Sequence, residues 1–140
     1  MSYDKSNIFA KILRGEASAV KVHEDQKTLA FMDLFPQSRG HTLIIPKHET
    51  ATILDCPPDV LSNLVTMTQR IAKAVDKAIK PDGIMIAQFN RAPAGQSVPH
   101  LHFHVIPRYT GQMLKTHFAS GNKADEKELA ELAAKIKAAL

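Results

Sequence analysis

The sequence is poor in the features that mark several large classes of protein. It has one cysteine, Cys56, and no tryptophan among its 140 residues. One cysteine excludes an internal disulfide and a zinc cluster built from cysteines. No run of about 18 apolar residues occurs, so no transmembrane helix is expected. The N-terminal stretch MSYDKSNIFAKILRGE carries charges where a secretory signal peptide has an apolar core. These absences favour a cytoplasmic protein with no membrane partner.

The chain also lacks a dense cluster of positive charge. Its formal net charge is +4, with 44% hydrophobic and 23% charged residues, which is typical of a globular protein. The lysines and arginines are spread along the chain, whereas a nucleic-acid-binding protein has them clustered on one face or along one helix. The excess suits an anionic ligand but not a nucleic acid. The length predicts one domain over residues 1–140.

Helical and strand-like segments alternate in a simple order. SNIFAKILRG predicts a short helix capped by Ser6 or Asn7, and PPDVLSNLVTMTQRIAKAVDKAIK predicts a long one with apolar residues at helical spacing. Five strand-like segments are AVKVHED, KTLAFMDL, HTLIIPK, GIMIAQF and HLHFHVIPR. The tail ADEKELAELAAKIKAAL predicts a further helix. This order favours an α+β fold, in which the helices pack on an antiparallel five-stranded sheet.

Three of the seven histidines stand in one short segment, QSVPHLHFHVIPR. In a strand, His100, His102 and His104 share one face, while Leu101, Phe103 and Val105 share the other, which must meet the core. The histidine face then opens to solvent, to a cleft or to another sheet. Neighbouring histidines are about 6.5 Å apart at a rise of roughly 3.3 Å per residue.

Three interpretations of this segment are open. Two neighbouring histidines can share a metal ion, with His41, His48, Asp33 or Asp55 as a further ligand, but three cannot easily converge on one ion from one strand. The histidines can instead be solvated on an exposed strand. A third interpretation is nucleophilic attack on phosphorus, because neutral imidazole is a nucleophile and proton carrier near neutral pH. Gln96 and Ser97, just before the histidines, supply polar groups for that chemistry.

The segment GQSVPHLHFHVIPR resembles the signature of the histidine triad family of nucleotide hydrolases and transferases. His100-Leu-His102-Phe-His104-Val-Ile fills each position of the pattern His-φ-His-φ-His-φ-φ, where φ is apolar. The preceding Gln-Ser-Val is similar to the branch that cleaves nucleoside phosphoramidates. NIFAKILRGE and LAFMDLFPQSRGHTLIIPKH are similar to the family's N-terminal helix, hairpin and central strand. The resemblance covers residues 4–110, followed by a helical extension over residues 122–140.

The resemblance implies a mechanism and a set of site residues. His102 would attack the α-phosphorus of a nucleotide, with His100 and His104 flanking it and His41 as a fourth histidine. Ser97 would hydrogen-bond near the leaving group. Substrate-binding positions implied by the resemblance are Asp33 at the ribose, Asn90 at sugar or phosphate, Gln96 at phosphate or in the turn, and Phe31, Leu34, Leu43, Ile8 and Phe9 around a purine.

Several of these positions have a structural alternative. Asp33 can begin the FPQSRG turn, Ser97 can be an ordinary polar strand residue, and the apolar residues can be plain core. The chain also departs from the family pattern. Asn7 and Ala10 stand where many bacterial members have the Cys-x-x-Cys of a structural zinc site, and Ala92 replaces a glycine often found after Asn90. We therefore expect no metal and no cofactor, and the leaving-group side can differ from that of other members.

The resemblance further implies a homodimer with a ten-stranded sheet across the subunit boundary. It favours a purine nucleotide substrate, such as an adenosine phosphoramidate, over dinucleoside polyphosphates. A nucleotide-binding sensor without turnover and a zinc-binding protein are the rival functions. The stripe of Leu129, Leu132, Ile136 and Leu140 on the tail helix leaves open whether it packs across the dimer boundary or lies free.

Overall fold

The computed structural model describes residues 2–114 and 123–140. Residue 122, where the helical extension is predicted to start, lies outside the described residues. The helices are α1 (Ile8–Leu13), α2 (Pro58–Ile79) and α3 (Glu126–Ala138), and the strands are β1 (Lys21–Glu24), β2 (Thr28–Met32), β3 (Thr42–Pro46), β4 (Gly83–Ala87) and β5 (Phe103–Arg108). Short 3-10 turns lie at Ile53–Asp55 and Ala92–Ala94. No helix in the described part of the chain is both long and apolar enough to span a membrane.

The five strands form one sheet in the order β1-β2-β3-β5-β4, and every neighbouring pair is antiparallel. Hairpins join β1 to β2, whereas β5 is inserted between β3 and β4. Leu43 of β3 lies opposite His104 of β5, so the histidine segment pairs with the centre of the sheet. The α+β fold with a five-stranded antiparallel sheet is confirmed.

The long helix α2 covers one face of the sheet. It begins after Pro57, where a missing N–H does no harm, and ends at Lys80, whose backbone is left-handed with φ 54°. Its buried residues Leu64 and Ile71 pack with Ile44 of β3 and Val105 of β5. Leu101, completely buried, joins the same core. The predicted apolar side of the histidine segment thus meets the long helix.

The opposite face of the sheet carries a second, smaller core under α1. Asn7 caps this helix by accepting a hydrogen bond from the Ala10 N–H at 2.9 Å. Phe9 and Ile12 of α1 pack with Phe31 of β2 and Leu43 of β3. Strands β2 and β3 are therefore buried on both faces, which explains why their residues form almost continuous apolar runs. Several residues of this second core line a cavity between α1 and the sheet.

The C-terminal helix α3 packs on its own chain. Its buried residues Leu129, Leu132 and Ile136 belong to the core under α2. Arg39 and Glu128 form an ion pair at 4.0 Å that joins the helix to the loop before β3. The sequence left open a free helix or one that crosses a dimer boundary. In the structure the helix packs against the core of its own chain instead.

The fifth strand starts three residues later than the sequence indicates. Regular pairing begins at Phe103, so His100 and His102 precede the strand and only His104 lies within it. Pro99 interrupts the backbone here, since proline has no N–H to donate to a sheet. All three histidines are buried, with at most 4% of their surface exposed. The alternative of solvated histidines on an exposed strand is wrong.

Candidate active site

A cavity of about 160 Å³ opens between α1, the strands β2 and β3, and the histidine segment. Its walls are mostly apolar side chains, and its polar groups gather at one end. The apolar lining includes Ile8, Phe9, Ile12, Phe31, Leu34, Leu43 and Val98, and the polar end includes Asp33, Ser97, His102 and His104. A narrow apolar slot with a few convergent polar groups is the usual form of a small-molecule site.

His102 is held by the backbone in one orientation. Its Nδ1 lies 2.7 Å from the carbonyl oxygen of His100. A carbonyl oxygen only accepts hydrogen bonds, so Nδ1 carries the proton and Nε2 carries the lone pair in the neutral ring. The ring of Phe9 packs edge-on against His102, with centroids 5.0 Å apart. The residue that lines the cavity is thus an imidazole whose Nε2 is the nucleophilic nitrogen.

His100 lies behind His102 and outside the cavity. Its Nε2 donates to the Pro46 carbonyl at 2.8 Å, and its Nδ1 is hydrogen-bonded to the hydroxyl of Tyr3. Burial lowers the pKa of His100 to about 4, despite the opposing hydrogen bond to Pro46. The ring is therefore neutral at pH 7, with its proton on Nε2 and its Nδ1 as the acceptor of the Tyr3 hydroxyl.

His104, His41 and Asp33 form a second hydrogen-bonded group beside His102. The backbone N–H of Gln37 donates to His41 Nδ1 at 3.0 Å, so the proton of neutral His41 is on Nε2. That Nε2 lies 2.9 Å from His104 Nδ1 and 3.5 Å from Asp33 Oδ2. His104 accepts through Nδ1 and in its neutral form carries its proton on Nε2. The rings of His102 and His104 are 4.9 Å apart. In the neutral rings, the lone pair on His102 Nε2 and the N–H of His104 Nε2 therefore belong to neighbouring side chains.

Asp33, His41 and His104 have potential metal-ligand atoms within 4.8 Å of one another, close enough to hold a metal ion. The hydrogen bonds of these residues oppose metal binding. A histidine that binds a metal through Nε2 carries its proton on Nδ1 and donates it to an acceptor. His41 has the opposite arrangement, because its Nδ1 faces the N–H donor of Gln37. The absence of a metal stays a prediction, and metal analysis of the purified protein tests it.

The residues where many bacterial members have the Cys-x-x-Cys pair have structural roles in this chain. Asn7 caps α1 through its side-chain oxygen and donates from Nδ2 to the Tyr3 hydroxyl at 2.8 Å. Ala10 is buried in the same helix and supplies the capped N–H. Neither side chain is a usual zinc ligand. His48, considered as a further ligand, is exposed.

Two of the predicted substrate residues build the loop behind Ser97 and do not line the cavity. Buried Gln96 accepts from the Arg91 N–H at 2.6 Å and donates to the carbonyls of Ala51 and Val98 at 2.6 and 2.9 Å. Asn90 accepts from the Ile53 N–H at 2.9 Å. Arg91, between them, has φ 76° and ψ 157°, a conformation that non-glycine residues rarely adopt. Gln96 therefore holds this strained turn closed and leaves Ser97 exposed at the cavity mouth.

The other predicted residues are brought together. Asp33 is buried at the polar end, where Oδ1 accepts from the Phe35 N–H at 2.8 Å, so it both starts the turn and lines the cavity. Ile8, Phe9, Phe31, Leu34 and Leu43 line the apolar walls. Leu43 and Phe31 belong to the core as well, and their contact with a purine base stays a prediction. His41 is buried behind His104.

Sequence patterns missed the residues that set the histidine tautomers. Tyr3, Gln37 and Pro46 act through a hydroxyl, a backbone N–H and a backbone carbonyl. Backbone groups are the same at every position, and Tyr3 is 97 residues from its partner His100. The sequence around these residues contains no pattern that predicts such contacts.

The fold and the site together define a class: an α+β protein with a small antiparallel sheet and a cluster of buried histidines beside an apolar cavity. Comparison with known proteins gives the family. The HIT domain model matches residues 14–111, and the chain belongs to the histidine triad family.

Relatives and solved structures agree with that assignment. An adenosine 5'-monophosphoramidase of Candida albicans is 38% identical over 112 residues, covering 77% of this chain and 74% of the relative. An adenylylsulfatase of Arabidopsis thaliana is 40% identical over 101 residues, covering 72% of this chain and 51% of the relative. The crystal structure of a Hit-like protein involved in cell-cycle regulation from Bartonella henselae superimposes with a TM-score of 0.91 at 46% identity, covering 99% of this chain and all of that one.

Proposed function

We propose that this protein hydrolyses purine nucleoside phosphoramidates through a nucleotidyl-histidine intermediate on His102. The observation that carries the proposal is the hydrogen bond from His102 Nδ1 to the His100 carbonyl, which puts the lone pair on Nε2 of a residue that lines the cavity. A fixed neutral imidazole of this kind is a suitable nucleophile for phosphorus. The named activities of the relatives support the same chemistry, since both act on an adenylyl group, with an amine or a sulfate as its leaving group.

The substrate would lie along the cavity with its purine between the apolar walls. Phe9 and Phe31 offer ring faces and edges to the base, and Asp33 offers carboxylate oxygens to the ribose hydroxyls. The phosphorus would then stand beside His102, with the His104 Nε2–H and the Ser97 hydroxyl as hydrogen-bond donors. Asn90 and Gln96 would hold the loop that carries Ser97.

The reaction balances in two steps. His102 Nε2 forms a bond to phosphorus while the P–N bond to the leaving amine breaks, and the amine takes up one proton. Ser97 and His104 are the two donors at that end of the cavity. Water then attacks phosphorus, the bond to His102 breaks, and the proton that the water loses replaces the one the amine took up. The products are a nucleoside monophosphate and the free amine. Electrostatic donors matter here because charge gathers on the equatorial phosphate oxygens.

The first experiment compares the parent protein with His102→Ala on an adenosine phosphoramidate that carries a fluorescent amine. We expect the variant to lose turnover by on the order of 10⁴-fold or more, as when a covalent nucleophile is removed. His48→Ala is the matched control, because His48 is exposed and outside the cavity lining. Equal amine release by parent and His102→Ala would refute the nucleophile.

A second measurement separates an enzyme from a nucleotide sensor. Quenching in an alkaline denaturant, in which a P–N bond to histidine survives, should trap a fraction of the parent with the added mass of one nucleoside monophosphate, and His102→Ala should show none. Tight binding of adenosine monophosphate without turnover of phosphoramidates or dinucleoside polyphosphates would favour the sensor instead.

We also propose that two copies associate through β4. This strand is an edge of the sheet, and no described strand pairs with its outer side. An open edge of this kind invites pairing. Ile86 of β4 and Val65 of α2 are each 46% exposed, large apolar side chains that a partner would cover. Two antiparallel copies would make a ten-stranded sheet.

The cytoplasmic location stays a prediction.

A further inference from the structure

The N-terminal segment before α1 reaches the histidines through one side chain, Tyr3. Its hydroxyl is hydrogen-bonded to Nδ1 of His100, and the two rings meet edge to face at 5.6 Å. This residue lies outside residues 14–111, the part of the chain that the HIT domain model matches.

The direction of the hydrogen bond follows from the neighbours of Tyr3. The Asn7 side-chain amide donates to the Tyr3 oxygen at 2.8 Å, which occupies one lone pair and leaves the hydroxyl hydrogen to point at His100. Burial raises the pKa of Tyr3, so the hydroxyl keeps its proton at neutral pH. His100 accepts the hydrogen bond from this hydroxyl at Nδ1, while its Nε2 donates to the Pro46 carbonyl at 2.8 Å. Both ring nitrogens of His100 are thus satisfied in only one tautomer.

The orientation of His100 affects that of His102, the proposed nucleophile. The carbonyl of the same residue accepts the proton of His102 Nδ1 at 2.7 Å. A His100 ring that is clamped at both nitrogens holds its own backbone, and that backbone fixes the ring of His102. Tyr3 also opposes protonation of His100, because a protonated Nδ1 would have to displace the hydroxyl hydrogen. The charged and titratable groups facing His100 besides Tyr3 are His102, Glu49 and His48.

We propose that Tyr3 is a positioning residue, which holds His100 in its neutral tautomer and thereby orients His102 for attack. It does not contact the reacting phosphorus in this arrangement; it acts through His100. The proposal rests on the function assigned to His102 above for its kinetic consequence, but the tautomer and orientation of the two histidines are properties of the resting protein.

The kinetic test compares Tyr3→Phe with the parent on an adenosine phosphoramidate. The variant keeps the aromatic ring and loses only the hydroxyl. We expect kcat to fall about tenfold, with KM changed by less than about twofold, because small misplacements of a nucleophile are costly while the nucleotide slot is intact. The acid limb of the kcat profile should move upward by about one pH unit, since His100 then protonates more easily.

Tyr109→Phe is the matched control, because it removes the hydroxyl of the chain's only other tyrosine. That hydroxyl donates to the Arg39 carbonyl at 2.7 Å, away from the cavity lining. It should leave kcat, KM and the pH profile unchanged. A Tyr3→Phe variant that behaves like Tyr109→Phe in all three would overturn the role of Tyr3.

A spectroscopic arm keeps this inference separate from the proposed function. Imidazole ¹⁵N spectra of the resting parent should show His100 protonated at Nε2 and His102 at Nδ1. In Tyr3→Phe, His100 should titrate at higher pH, and the His102 signals should shift with it. Spectra identical to those of Tyr109→Phe would refute the inference even if the parent is an active phosphoramidase. Altered histidine spectra in a parent without turnover would support it while the proposed function fails.

Discussion

At the scale of single residues, the three histidines of one motif differ only in their partners. His100 is clamped between a carbonyl and a hydroxyl, His102 donates to a carbonyl, and His104 accepts from His41. Each environment selects one tautomer, and the tautomer decides which nitrogen can attack or donate. Three chemically identical side chains thereby differ in which ring nitrogen carries the proton, and the roles proposed for them depend on that difference.

The buried His100 should make the stability of the protein depend on pH. Its pKa is about 4 in the folded chain and about 6.5 in an unfolded one, so the unfolded state binds the proton first as the pH falls. The free energy of unfolding should therefore fall between about pH 6.5 and 4, by up to about 3 kcal/mol from this residue, and the contribution is constant above that window.

Urea unfolding of the parent and of His100→Gln across this range measures the effect. Glutamine can still donate to Pro46 but does not titrate, so the stability of the variant should depend on pH less steeply, by up to about 1.4 kcal/mol per pH unit. Parallel curves for the two proteins would show that His100 is not held neutral by the fold.

At the scale of elements, the C-terminal helix shows how packing replaces an ambiguous pattern. The sequence has an apolar stripe that fits a free, a dimer-spanning or an intrachain helix equally well. In the structure, Leu129, Leu132 and Ile136 are buried against α2, and Leu140, the fourth residue of the stripe, stays 37% exposed. The helix is capped by Asp125, which accepts from the Lys127 N–H at 3.2 Å. It is thus part of the main core.

Truncation of Ile136 tests this packing. Ile136→Ala should lower the free energy of unfolding by about 2–5 kcal/mol, because the residue is completely buried. Lys135→Ala, one position earlier on the exposed side of the same helix, should change it by less than about 0.5 kcal/mol. Urea denaturation at several protein concentrations gives both values. Equal stability of the two variants would contradict the intrachain packing of α3.

At the scale of the whole molecule, a helix lies at one edge of the sheet, whereas no strand among the described residues pairs with the outer side of the other edge. Helix α3 contacts β1 at the first edge. Strand β4 at the other edge has Ile86 exposed, and Val65 of the long helix is equally exposed. An uncovered edge with apolar neighbours is a recognised route to self-association. The homodimer proposed above would close it.

Sedimentation velocity of the parent should therefore give twice the mass of the chain. Ile86→Lys should shift the protein toward monomer, because a buried, unpaired charge at an interface is costly. Met113→Lys is the control, as Met113 is a 90% exposed apolar residue outside β4. A parent that sediments as a monomer, or two variants with the same distribution, would rule out association through this edge.

The sequence by itself determined the element order, the α+β class and many of the residues that line the cavity. Periodicity and turn chemistry are local, so α2 and the paired strands can be predicted from them. The motif containing His100, His102 and His104 is also local, and it identified the family. Its alternation, however, predicted a regular strand from His100, whereas pairing begins at Phe103.

Only the tertiary structure decided which hydrogen bonds each histidine makes. The groups that set the tautomers include the Tyr3 hydroxyl, the Pro46 carbonyl and the Gln37 N–H, and all three lie far from the motif in the chain. It also assigned Gln96 to holding the loop instead of lining the cavity, and α3 to the main core. These outcomes depend on contacts between distant segments and on backbone groups common to all residues, and neither leaves a pattern in the sequence.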